Sequence, residues 1–129
     1  MEHLLRVREL QGETRGFTAF IPWTFQEENT AMEGEGPVSG GFDYLRTLAV
    51  SRLALDNVRH VQGSWVTQGP KIGQLSLFFG ADDLGSIMLE ENVVAAAGAN
   101  YRMTREEMER VITDAGFTPR QRRTLYEPL

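Results

Sequence analysis

A chain of 129 residues, 41% of them hydrophobic, is long enough for one compact domain with a core. Its formal charge of −5, from 18 acidic and 13 basic residues, excludes the broad positive surface that nucleic-acid binding needs. The absence of cysteine excludes disulfides and any iron–sulfur cluster held by thiolates of this chain.

No apolar run approaches the length that spans a bilayer, and Met1–Arg6 lacks the basic-then-apolar pattern of a secretory signal. The expectation is a cytoplasmic protein with neither a membrane nor a nucleic-acid partner. Residues Glu2–Glu13 read as a helix with a loose stripe of Leu4, Leu5, Val7 and Leu10, broken at Gly12 and Gly16. Phe17–Ile21 is short and apolar, a buried strand stopped by Pro22. Residues 26–41 turn to Glu, Gly, Asn, Pro and Ser, a long surface loop. Asp43 is expected to cap a helix reaching about Asp56, with Leu45, Leu48, Ala49, Arg52, Leu53 and Leu55 on one side.

Val58–Val66 is the second strand expected, and Pro70 suits the first turn of a helix carrying Ile72, Leu75, Leu77, Phe78 and Phe79, ended by Gly80. Asp82 and Asp83 then lead into a third strand, Leu84–Leu89, followed by a short Ala-rich helix over Glu91–Ala97. Thr104 and Glu107 form a capping box for a last helix in which Met108, Val111, Ile112 and Ala115 share a face, and Gly116 closes it. Arg120, Arg122 and Arg123 read as a solvated tail over residues 117–129. Strands alternating with helices predict an α/β fold with a parallel sheet. Three strands leave two edges, so the pattern looks like a piece of a larger structure.

In such sheets ligands sit beyond the carboxyl ends of the strands. Pro22-Trp23-Thr24-Phe25-Gln26, Ser64-Trp65-Val66-Thr67-Gln68 and Glu90-Glu91-Asn92 occupy those positions. Each has a plainer role: aromatic packing for Trp23, Phe25 and above all Trp65, and backbone capping for Gln68 and Asn92. Glu90 and Glu91 are adjacent on an expected strand, so at most one points into a site. His60 starts a strand, the wrong end for catalysis here. No metal-ligand spacing, catalytic triad or phosphate-binding loop is present.

The longer strings are more specific. Phe17-Thr-Ala-Phe-Ile-Pro-Trp-Thr-Phe25, Trp65-Val-Thr-Gln-Gly-Pro-Lys-Ile-Gly-Gln74, Phe79-Gly-Ala-Asp-Asp-Leu-Gly-Ser86 and Met88-Leu-Glu-Glu-Asn-Val-Val94 closely resemble the C-terminal part of the cyclic dehypoxanthinyl futalosine synthases. These are radical S-adenosylmethionine enzymes of the futalosine route to menaquinone. The Gly80–Gly85 string is also similar to enzymes that assemble the deazaflavin chromophore, and Phe20–Pro22 to aminofutalosine synthase. The resemblance implies a single partial-barrel domain over residues 1–129, the last three strands of a TIM-type (β/α)8 barrel.

It further implies S-adenosylmethionine, a 4Fe-4S cluster and a nucleoside substrate, dehypoxanthine futalosine, which is cyclised. The family's Cys-x-x-x-Cys-x-x-Cys motif is missing, so no metal ligand is expected in this chain, and alone it is expected to be inactive. Trp23, Thr24, Gln26, Ser64, Trp65, Gln68 and Asn92 are the lining residues so implied, with Glu90 or Glu91 holding ribose hydroxyls or accepting a proton. Completion by an N-terminal barrel half makes the chain part of an enzyme. Self-association into a homo-oligomer would instead make it an inactive remnant or a structural binding domain.

Overall fold

The computed structural model describes residues 1–25, 40–87 and 101–129. Among the described residues four helices pack around a small parallel sheet. The first, α1 (Glu2–Thr14), runs through Gly12 and ends one residue beyond the expected range, with Arg15 capping it in the left-handed region. Its inward face is Leu4, Val7 and Gln11 rather than the full leucine stripe, and Leu5 and Leu10 stay exposed. Gln11 belongs there because its amide is fully used: Nε2 donates to the carbonyls of Phe17 (3.0 Å) and Asn57 (3.3 Å), and Oε1 accepts from Phe17 N–H (2.8 Å).

Strand β1 is confined to Ala19–Phe20 and β2 to His60–Val61, paired parallel with Ala19 opposite His60 and Phe20 opposite Val61. A third segment lies beyond β2, where Gln62 bridges Asp83, Asp82 N–H donates to Val61 O (3.0 Å) and Gly63 N–H to Asp83 O (2.8 Å). Both later strand expectations therefore need correction. The second strand stops short of Trp65, which already begins a helix. The third pairs at Asp82 and Asp83, ahead of the expected Leu84 start, and Gly85 turns the chain with φ 74°. The third strand's expected end and the Glu91–Ala97 helix fall outside the described residues. What stands is a mixed α/β arrangement with three adjacent parallel segments.

Helix α2 (Gly41–Ala54) begins two residues before Asp43, which sits in the first turn, paired with Arg46 at 2.9 Å instead of capping. A carboxylate there still meets the positive end of the helix dipole. Tyr44, Leu48, Ser51 and Leu55 turn inward at heptad spacing while Leu53 points to solvent. Helix α3 (Trp65–Ser76) contains a break at Gly69, with φ 82° and ψ 164°. Only glycine takes that conformation readily. It lets Pro70, which lacks an N–H, stand where the helix resumes, although the sequence reading has the helix begin at Pro70 and it begins at Trp65. A 3-10 turn (Leu77–Phe79) follows, ended by left-handed Gly80.

The last helix, α4 (Arg105–Asp114), has the predicted capping box: Glu107 N–H donates to Thr104 Oγ1 (3.2 Å) and Thr104 N–H to Glu107 Oε2 (2.8 Å). Its end is a Schellman motif, with Gly116 N–H on Thr113 O (2.8 Å) and Phe117 N–H on Ile112 O (3.2 Å). No helix among the described residues is long and apolar enough to cross a membrane.

The core has three parts. Tyr44, Leu45, Leu48, Val61 and Ala81 join α2 to the sheet, and Leu4, Leu55 and Val58 join α1 to the turn before β2, with Phe20 packed against both groups. Trp65, Val66, Leu84 and Met103 form the third part, against which Met108, Val111 and Ile112 of α4 pack. Gly63 lies against Ser76 and against Leu84 of the third part. A Cβ there would lie 2.2 Å from Ser76 Oγ and 3.2 Å from Leu84 Cδ2. The Tyr44 hydroxyl accepts the buried Ser64 N–H at 2.6 Å, and burial pushes its phenol pKa up although that bond pulls the other way.

Two stability measurements check this packing. Gly63→Ala is expected to lower chemical-denaturation stability by about 1–3 kcal/mol through overpacking. Adding Ser76→Ala should recover part of that loss, whereas strictly additive effects would place the strain elsewhere. Tyr44→Phe should cost about 1–3 kcal/mol by leaving the Ser64 N–H unpaired. Because the folded phenol stays protonated past the unfolded value of about 10, wild-type stability is present below that pH and falls as pH rises above it. The phenylalanine variant should lose less over the same alkaline range.

Candidate functional site

At the carboxyl end of β1 the buried Pro22 stops the strand and delivers Trp23, Thr24 and Phe25 to the surface, with Trp23 58% and Phe25 61% exposed. At the carboxyl end of β2 the chain turns at Gly63-Ser64 and winds into α3, so that Gln68 occupies its first turns. The two segments meet in one bond: Gln68 Nε2 donates to Thr24 Oγ1 at 2.7 Å, between half-buried side chains. Two expected site residues 44 positions apart in sequence are thus brought together.

Ser64 and Trp65, expected in the same lining, are buried at 2% and 1% exposure. Ser64 Oγ lies 2.8 Å from Thr67 Oγ1, and the Trp65 ring packs in the core. The other expected residues, Gln26, Glu90, Glu91 and Asn92, lie outside the described residues. Tyr101, which the sequence does not single out, stands over the Gly69 break: a Cβ on Gly69 would come 3.0 Å from its ring. A long-range contact over a helix break leaves no mark in the local pattern.

This end of the sheet offers aromatic surface and neutral hydrogen-bonding groups. An amide and a hydroxyl can bind ligand hydroxyls, and exposed rings can stack on a planar group. The chain has no cysteine, so it cannot supply thiolates to an iron–sulfur cluster. Among the described residues no group of three or more His, Asp or Glu side chains is placed to hold a metal ion.

A second cluster, joining α2, β2, the third segment and the C-terminus, is charged. Asp82 accepts from Arg52 (2.9 Å), His60 Nδ1 (2.6 Å) and Val61 N–H (2.8 Å). Asp83 pairs with both Nε and Nη2 of Arg122, the latter at 2.8 Å, and this bond raises the Arg122 pKa against the opposing effect of burial. Arg122 is therefore docked, in contrast to the solvated tail expected. Tyr126 lies between its guanidinium (3.9 Å from the ring centre) and the His60 ring (4.2 Å, 13° between planes). A cavity of about 740 Å³ separates residues 81–87 and α4 from residues 117–122.

Comparison with known proteins places this arrangement. The family described as the CofH/MqnC C-terminal region matches residues 14–129. The chain is 54% identical over its whole length to the cyclic dehypoxanthine futalosine synthase of Streptomyces coelicolor, covering 32% of that protein. It is 50% identical over 97% of its length to the enzyme of that name from Halalkalibacterium halodurans, covering 34% of it. Aminodeoxyfutalosine synthase of Thermus thermophilus is 40% identical over 98% of the chain, which spans 35% of that protein. The chain thus spans about a third of the length of the curated relatives it matches, and it belongs to the CofH/MqnC C-terminal region family.

Proposed function

We propose that this chain is the C-terminal portion of a radical S-adenosylmethionine enzyme that cyclises dehypoxanthine futalosine in menaquinone biosynthesis. On this reading it supplies the last strands of a (β/α)8-type barrel, completed by an N-terminal polypeptide. Whole-chain identity to the Streptomyces coelicolor synthase supports the choice of reaction. The observation that carries the site is the Gln68–Thr24 bond, which joins the segments beyond two neighbouring parallel strands. That end is where parallel α/β sheets bind ligands.

The bound cluster and S-adenosylmethionine would supply the radical, and the cluster's thiolate ligands must come from outside this chain. The chain's own residues bind and orient. Thr24 and Gln68 hold nucleoside hydroxyls, while Trp23 and Gln26 line the neighbouring wall. Ser64 and Trp65 support that surface from beneath. Asn92 extends the lining, and one of Glu90 and Glu91 takes or holds a proton as the ring system is restored.

The test is anaerobic reconstitution of the chain, joined to or mixed with an N-terminal part carrying the three-cysteine motif, with substrate conversion followed by mass spectrometry. Cyclised product is expected, with Gln68→Ala and Thr24→Ala each lowering kcat/KM by about tenfold or more. The double variant should fall little further, since both remove one bond. Cleavage of S-adenosylmethionine without cyclisation would reject this substrate. Self-association of the chain that excludes the N-terminal part would reject the split-barrel assembly.

A further inference from the structure

Residues 121–129 fold back on themselves. Leu129 N–H donates to Gln121 O (3.0 Å), Arg123 N–H to Glu127 O (2.8 Å) and Tyr126 N–H to Arg123 O (3.0 Å), while Arg122 bridges Pro128 antiparallel. This small hairpin is fastened to the sheet by two side chains. Arg122 grips Asp83 of the third segment, with side-chain exposures of 25% and 12%. Tyr126 stacks on His60 of β2. The rest is loosely held: Leu125 and Leu129 are 72% and 65% exposed, and Arg123 meets Glu127 within the hairpin itself, 3.7 Å apart at the surface. Tyr126 also has φ 65°, a left-handed conformation that costs a non-glycine residue free energy unless its surroundings hold it.

The two fastenings converge on one strand. Asp83, besides Arg122, accepts Gly85 N–H at 2.6 Å, which shapes the turn leaving the third segment. Asp82, its neighbour, accepts from His60, the residue beneath Tyr126. His60, Tyr126, Arg122, Asp83 and Asp82 therefore form a closed circuit across β2, the third segment and the C-terminus. The backbone pairing it encloses consists of Asp82 N–H on Val61 O and Gly63 N–H on Asp83 O.

We infer that residues 121–129 are a detachable strap: it opens as a unit without unfolding the helices, and its closure at Arg122 and Tyr126 sets the register of the third segment against β2. Opening it uncovers one wall of the 740 Å³ cavity, of which Gln121, Arg122 and Thr124 are part. This holds whatever reaction the assembled protein performs, because it concerns bonds within this chain.

Native-state amide exchange on the intact chain tests it. The amides of Arg123, Tyr126 and Leu129 should exchange together and faster than those of α2, with little dependence on low denaturant. Arg122→Gln and Tyr126→Ala should each speed exchange at Asp82 and Gly63 by about tenfold or more, consistent with loss of a charge-assisted or stacked contact. The α2 amides should change less than these. Strap amides that exchange only with α2, by global unfolding, would overturn the inference. Unchanged exchange at Asp82 and Gly63 in both variants would also overturn it, as would a uniform rise across the chain.

Discussion

The carboxylate of Asp82 is the point on which the sheet is assembled. Its Oδ1 accepts the Val61 N–H at 2.8 Å and Arg52 of α2 at 2.9 Å, while Oδ2 accepts His60 Nδ1 at 2.6 Å. Arg52 in turn donates to the carbonyls of Gly80 (2.8 Å) and Arg59 (3.2 Å), the residues just before the third segment and β2. One ion pair thus satisfies backbone groups at the start of both segments and ties them to a helix. Surface pairs contribute little to stability on their own. With Arg52 and Asp82 side chains 30% and 39% exposed, the value of this pair lies mainly in specificity. Together with the Arg122–Asp83 fastening it holds one register, and slipping a strand by one residue would turn the buried Val61 to the other face.

That specificity matters because the strands are so short. Two-residue strands provide few ladder bonds, and sheets of this size rarely hold together without packing on their faces. Here side chains do the work of length. Phe20 packs with two of the three core groups, Gln11 anchors the chain entering β1, and Tyr44 secures Ser64 as the chain leaves β2. The crowding at Gly63 follows from the same economy, since Ser76 and Leu84 close over the backbone where a longer strand would have left room.

Features set by neighbours in sequence were legible before the structure. The Thr104–Glu107 capping box, the Gly116 cap and Gly80 as a stop all follow from local chemistry. Features set across the chain were not. Asp82 and Asp83 read as polar residues ahead of a strand, yet partners on α2, β2 and the C-terminus draw them into it. Gln11 lies outside the leucine stripe in sequence yet belongs to the inward face, because its amide meets two carbonyls and an N–H. Arg122 looked solvated since Asp83, its partner, lies 39 residues away. Thr24 and Gln68 were each legible as site candidates; only their mutual bond required the fold.

Two side-chain clusters divide these tasks. One cluster is charged and ties the sheet to α2 and the C-terminus: two arginines meet two aspartates, with His60 stacked on Tyr126 beside them. Every one of those groups is engaged by another, which suits a structural closure and leaves little to offer a ligand. The carboxyl end has the reverse character, with a neutral Gln–Thr pair beside exposed Trp23 and Phe25. Aromatic surface of that kind is costly to leave in water unless something covers it. One cluster is thus engaged wholly within the chain, while the other keeps its rings exposed.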